Sequence, residues 1–178
     1  SSFNSWFRGV KIISTEPLVI ETYVDRNFID AESEIPTWWP NYEYGPGAWH
    51  NLSLGILAEA AGELVFSENK SRDTGLEQMH YIYGNHLLIL ETHLTECITD
   101  TYIPYSPTLK LYVDNTEAAV RWANLDAWYT AQSHFWIGTG PFYLDSADPF
   151  SATLTLARNP AFPDPSDKWD FMVNGPSL

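Results

Sequence analysis

His93 and Cys97 stand four residues apart, with Glu96 and Asp100 beside them. On a helix that spacing puts an imidazole and a thiol on one face, which is how a zinc-type site can begin. Two ligands do not complete such a site, a thiolate centre ordinarily brings more sulfur, and Cys97 is the sole cysteine. The plainer reading is a core thiol next to a histidine on the helix surface. His80 and His86 do not improve the ligand count, so no metal is expected. Serine, histidine and aspartate all occur, but nowhere in a nucleophile-elbow or zincin arrangement. With 23 Asp and Glu in 178 residues, paired carboxylates arise by chance and argue nothing for a glycosidase. Gly138-Thr139-Gly140 lacks the Gly-Lys-Ser/Thr ending of a phosphate loop and leads into a strand pattern rather than a helix. No catalytic residue and no cofactor is expected, and the chain reads as a non-enzyme.

Binding chemistry has better candidates. Trp38, Trp39, Tyr42, Tyr44 and Trp49 crowd one stretch, and Phe135 and Trp136 stand just before Gly138. Aromatic faces pack on sugar rings or peptide side chains and carry a polar handle at one end. Trp38, Trp39, Tyr42, Trp49 and Trp136 are therefore the expected ligand contacts. The competing reading is that these rings only pin a loop onto neighbouring helices. Two Asn-x-Ser sequons, Asn51-Leu52-Ser53 and Asn69-Lys70-Ser71, are also present, a pattern that arises often by accident.

Composition narrows the partners. Nine Lys and Arg against 23 Asp and Glu leave a formal charge of −14, a field that repels polyphosphate and anionic lipid surfaces. Nucleic acid is excluded as a partner on that ground. Aromatic residues reach 15%, eight of them Trp. The longest apolar run, Leu87-Leu88-Ile89-Leu90, is far too short to span a bilayer. No signal peptide opens the chain, and its Ser1-Ser2-Phe3 start is unlike a native initiator, so an excised piece of a longer protein is expected.

These candidates need elements to hold them. Gly9–Thr15 and Leu18–Asp25 are β-branched and roughly alternating around Glu16-Pro17, which predicts a hairpin. Between Arg26 and Trp49, five Pro and Gly interrupt every period, predicting a long aromatic loop. Helical spacing runs from Asn51 to Ala61, with Gly62 beyond it as the terminating residue. Glu63–Ser67 suggests a short strand. From Thr74 the residues Leu76, Met79, Tyr83, Leu87, Leu90, Leu94 and Ile98 step by three or four and predict one apolar stripe, with Gly84-Asn85 as a possible break. A further helix starts at Asp114 with Glu117 in capping-box position, burying Ala118, Trp122, Leu125 and Tyr129. Gly140–Ala147 and Ala152–Arg158 alternate around an Asp-Pro turn, a second hairpin. The class is α+β: hairpins at about 9–25 and 140–158 around a mostly helical segment at about 50–132, read as one folded piece over 1–178.

From Ile137 to Trp169 the chain reads IGTGPFYLDSADPFSATLTLARNPAFPDPSDKW. This resembles the family 5 extracellular solute-binding proteins of ABC importers, which include dipeptide, oligopeptide and nickel receptors. The residues that carry the likeness are Gly138, Thr139, Gly140, Pro141 and Phe142, then Leu156, Arg158, Asn159, Pro160 and Phe162. The glycines suit positive φ at a bend, and Pro141 suits a strand's first residue. The opening VKIISTEPLVIETY, residues 10–23, matches the family's upstream strand pair. The helical stretch between the two is longer than the family's usual connection. The resemblance implies part of a lobe of a periplasmic-binding-protein-like fold, outside the membrane and anchored to it in the full-length protein. It also implies a peptide or oligosaccharide ligand, and the permease and the remainder of the parent chain as partners. Two other readings compete: a carbohydrate-binding module or glycosidase-associated domain, and a helical segment that serves only protein contact.

Overall fold

The computed structural model describes residues 5–25, 48–138, 140–165, 167–168 and 170. Two compact units divide the chain, Ser1–Asn41 and Tyr42–Leu178. The secondary structure is α+β, two antiparallel two-stranded hairpins flanking, in sequence, a segment with five helices among the described residues.

In the first unit β1 (Phe7–Thr15) pairs with β2 (Leu18–Val24). Register follows the alternation: Val10 faces Thr22, Lys11 faces Glu21 and Ile12 faces Ile20, with bulges on either side of this run. Glu16-Pro17 forms the connection, where proline costs no ladder donor, and its peptide bond is cis. Arg8 pairs with Asp25 at 2.9 Å where the strands close. A lone strand pair has little to bury, and Val10, Ile13, Leu18, Val19, Ile20 and Tyr23 stay exposed.

The second unit holds α1 (Trp49–Ala60), α2 (Glu68–Thr74), α3 (Asn85–Asp100), α4 (Ser106–Leu109) and α5 (Asn115–Gln132), then β3 (Phe142–Asp148) and β4 (Thr153–Arg158). Helices α1, α3 and α5 pack on one another. Their shared core is Leu54 and Ala58 from α1, Leu87, Leu90, Leu94 and Cys97 from α3, and Ala118, Trp122 and Leu125 from α5. Each fully buried Leu contributes about 1.5–3 kcal/mol. Gly55 is where α1 comes closest to its surroundings. A Cβ there would lie 2.2 Å from the Tyr81 hydroxyl and 2.6 Å from the Met79 sulfur, so only a hydrogen fits.

The helix ends follow local chemistry. Asp114 caps α5 by accepting the Glu117 N–H at 2.8 Å. The reciprocal half of the predicted capping box is absent, because the Glu117 carboxylate turns forward to Arg121 instead. Gly62 adopts φ 74° just past α1, as its position predicts.

The long stripe proves shorter than its spacing suggests. Gly75, at φ 75°, ends α2, and the chain then runs extended so that Val65 and Gln78 form a parallel bridge. Met79 and Tyr81 enter the core as alternate residues, a period of two that the helical match of Leu76, Met79 and Tyr83 concealed. Helical burial begins only at His86 and Leu87, and Tyr83 and Ile98 are exposed. The predicted strand at Glu63–Ser67 is reduced to that single bridge. The aromatic loop predicted at 26–49 lies outside the described residues, apart from Ala48 and Trp49. Among the described residues no helix is long and apolar enough to cross a membrane.

Candidate ligand-binding site

The sequence motif lies on the second hairpin. Phe142 opens β3 opposite Arg158, the last residue of β4, and Leu144 faces Leu156. The four-residue connection is tied by Asp148, whose carboxylate accepts the Phe150 N–H at 2.9 Å and the Ser151 hydroxyl at 2.7 Å. Those bonds, the Ser151 one foremost, hold the Asp148 carboxyl below the usual carboxylate range. Asn159 joins exit to entrance: its N–H donates to the Pro141 carbonyl at 2.9 Å and its Nδ2 to the Gly140 carbonyl at 3.0 Å. Ala161 N–H returns to Asn159 Oδ1, turning the chain away after Pro160. Arg158 donates to the Asp164 carbonyl at 2.6 Å. Gly138 plays a different part from the expected one. It does not take the left-handed φ expected at the bend, and a Cβ on it would meet nothing within 4 Å. The chain reverses at Ser133 instead, which takes φ 59° as the C-cap of α5. Thr139 lies outside the described residues.

His134 fastens this hairpin to the helices. Trp136 N–H donates to its Nδ1 at 3.1 Å, which leaves the proton on Nε2 to donate to the Leu144 carbonyl at 2.9 Å. Burial lowers its pKa, partly opposed by the Leu144 carbonyl and Asp145. Trp128 stands edge-on to both His134 and Tyr143, and its buried Nε1 has no hydrogen-bond partner. Trp136 itself is 37% exposed beside this group.

A second aromatic group forms where α1 begins against α5. Trp49 meets Trp122 edge-on at 5.6 Å between ring centroids, and His50 stands edge-on to both indoles. Trp122 is fully buried and its Nε1 donates to the Tyr102 carbonyl at 2.8 Å. Trp49 Nε1 and His50 Nδ1 are buried with no partner. Arg121 lies over Trp49, 5.9 Å from the ring centre, a cation–π position. Burial first, and the Arg121 charge second, push the His50 pKa down to about 4, so the ring is neutral at physiological pH. Arg121 also lines a groove of about 500 Å³ along α5, with Asp114, Thr116, Glu117, Val120 and Asn124. Chemically this is an apolar aromatic group whose indole N–H and imidazole Nδ1 are buried, leaving the half-buried Trp49 ring and the Arg121 guanidinium as the groups that face outward.

No family model matches the chain, and no curated protein matches it.

Of the five expected contacts, Trp38, Trp39 and Tyr42 lie outside the described residues, as does Tyr44. Trp49 and Trp136 are described, and no ring contact links them. The first joins the α1–α5 group and the second flanks the hairpin. His50, Arg121, Trp122, Trp128 and His134 were not anticipated as part of either group. The one sequence signal for them is the pair of dipeptides Trp49-His50 and Arg121-Trp122, since a helix gives no warning of which distant ring it will meet.

The His93–Cys97 pair resolves differently on its two sides. Cys97 is in the core, its thiol pushed up to about 12 by burial and by Glu96 and Asp100, so it is no nucleophile at neutral pH. His93 is buried rather than on the helix surface, because Glu63 and Glu96 reach its two ring nitrogens at 2.7 and 3.2 Å. Among the described residues no group of three or more His, Cys, Asp or Glu is placed to hold a metal ion. His80 and His86 stack at 4.1 Å in a cleft of about 550 Å³, where Glu77 takes His86 Nε2 at 2.8 Å.

Proposed function

We propose that the chain is part of the substrate-binding component of an ABC importer of the family 5 extracellular solute-binding type, and that it catalyses nothing. The observation that carries this reading is the second hairpin. The Gly140-Pro141-Phe142 entrance and the Arg158-Asn159-Pro160 exit lie side by side at one end of a strand pair, and Asn159 bonds the exit back to the carbonyls of Gly140 and Pro141. Those two segments lie 19 residues apart in sequence, and the bonds give their joint occurrence a physical reason. The ligand class is peptides or oligosaccharides, met by the half-buried ring of Trp49 and by Trp136. Capture proceeds by closure of two lobes, driven by the ligand's higher affinity for the closed state. The working location is outside the membrane, the permease being the partner that receives the solute.

The test is thermal-shift screening of the longer parent chain against peptide, oligosaccharide and nickel panels, with tryptophan fluorescence titration of each hit. A saturable shift with peptides or oligosaccharides on the parent chain, absent from residues 1–178 alone, is the expected result. Saturable sugar binding by residues 1–178 alone favours a carbohydrate-binding module instead and removes the transport reading.

A further inference from the structure

The two sequons differ sharply in their surroundings. Asn51 is 0% exposed, and its Nδ2 donates to the Phe135 carbonyl at 2.8 Å, across 84 residues of sequence. Exposing it means pulling the first turn of α1 out of the core. Asn69 is exposed on α2, where Lys70 is the middle residue and no proline blocks recognition. We propose that Asn69 is an N-glycosylation site and that Asn51 is not. This rests on the reading of the chain as extracytoplasmic.

A glycosyl transferase must draw the asparagine amide and the serine hydroxyl of a sequon together into its own site, so a sequon in a folded chain has to open. Helix α2 is built to open locally. It has seven residues and buries none of them. Its ends are set by Ser67, which accepts the Lys70 N–H at 3.2 Å, and by Gly75 in the left-handed region. Its Arg72–Glu68 ion pair lies at the surface, and Lys70 reaches the half-buried Glu59 of α1 at 2.9 Å. The Ser71 hydroxyl donates to the Leu76 carbonyl at 2.6 Å and is released when the turn unwinds. Only the Lys70–Glu59 pair reaches a core helix, α1, and no side chain of α2 is buried, so α2 unfolds without global unfolding. In the reaction the Asn69 nitrogen forms a bond to the anomeric carbon of an oligosaccharide carried on a polyisoprenyl phosphate or pyrophosphate. The carbon–oxygen bond to that phosphate breaks, the phosphate leaves with the electron pair, and the amide proton passes to a base of the transferase.

The experiment isolates the parent protein from its own cells, records the compartment, and maps both sequon peptides by mass spectrometry. An amide-cleaving glycosidase in heavy-oxygen water marks each former glycan site as labelled aspartate. A glycan on Asn69 with Asn51 unmodified, lost in Asn69→Gln and kept in Ser71→Thr, is the expected pattern. An unmodified Asn69 on protein recovered outside the membrane overturns the glycan site while leaving the transport reading standing. Unmodified protein recovered from the cytoplasm overturns both, and a glycan on Asn51 overturns the structural discrimination itself.

Discussion

Lowering the pH from 7 to 4 loads a proton onto His50 in the unfolded chain long before the folded one accepts it. The folded pKa is pushed down to about 4 from an ordinary 6.5, chiefly by burial among Trp49 and Trp122 and secondarily by Arg121. Between those values the unfolded state binds more protons, so stability rises with pH. The His50 contribution is complete above about 6.5 and is lost as the pH falls toward 4. At about 1.4 kcal/mol per pKa unit, the gap sets a ceiling of about 3 kcal/mol. Other groups titrate too: His80 and His134 are lowered and add with the same sign. Asp148, held below the usual carboxylate range, likewise loses its contribution as the pH falls. The clean observable is therefore a difference between the native chain and His50→Phe, which keeps a ring edge-on to both indoles and removes the unpartnered Nδ1. Urea unfolding followed by tryptophan fluorescence at pH 7, 6, 5 and 4 gives both curves. The native chain is expected to lose at most about 3 kcal/mol more than the variant across that range. Parallel curves would show that His50 is not the desolvated group described above.

Four further substitutions read the packing directly. Gly55→Ala improves intrinsic helix propensity by about 1 kcal/mol. It nonetheless forces a Cβ to 2.2 Å from the Tyr81 hydroxyl, so a net loss of about 1–3 kcal/mol is expected from overpacking, measured as a drop in urea midpoint. Asp114→Ala removes the cap on Glu117 N–H and is expected to cost about 1 kcal/mol, with fraying of the first turn of α5 visible by hydrogen exchange. Asn159→Ala removes the bond to Gly140 and the acceptor for the Ala161 N–H, while leaving its own N–H on Pro141. It should cost about 1 kcal/mol and speed exchange in β3–β4, whereas Gly138→Ala, which meets no neighbour, should leave both unchanged.

Local chemistry made much of the fold legible in the sequence. The hairpins at 7–24 and 142–158 follow from alternation of β-branched and polar residues around a proline or an Asp-Pro turn, a pattern that needs no distant partner. The cap at Asp114 and the glycine beyond α1 are equally local. Spacing misled where two periods fit the same residues. Leu76, Met79 and Tyr83 match a helix, yet a left-handed Gly75 and the backbone of Val65 hold that stretch extended, with Met79 and Tyr81 turned inward.

The site was less legible, because its rings meet across the chain. Trp49 stood out in the sequence as an aromatic in an aromatic-rich stretch. That it abuts Trp122 and lies under Arg121, with its indole N–H and the His50 nitrogen left without partners, is decided by how α1 and α5 pack. His134 offers the same lesson: nothing near it in sequence announces that its two nitrogens will bind Trp136 and Leu144. Composition and turn chemistry act within a few residues and so determine charge, class and hairpins. Burial and pairing depend on surfaces brought together over tens of residues, and only the tertiary structure sets which polar atoms are satisfied and which are left open.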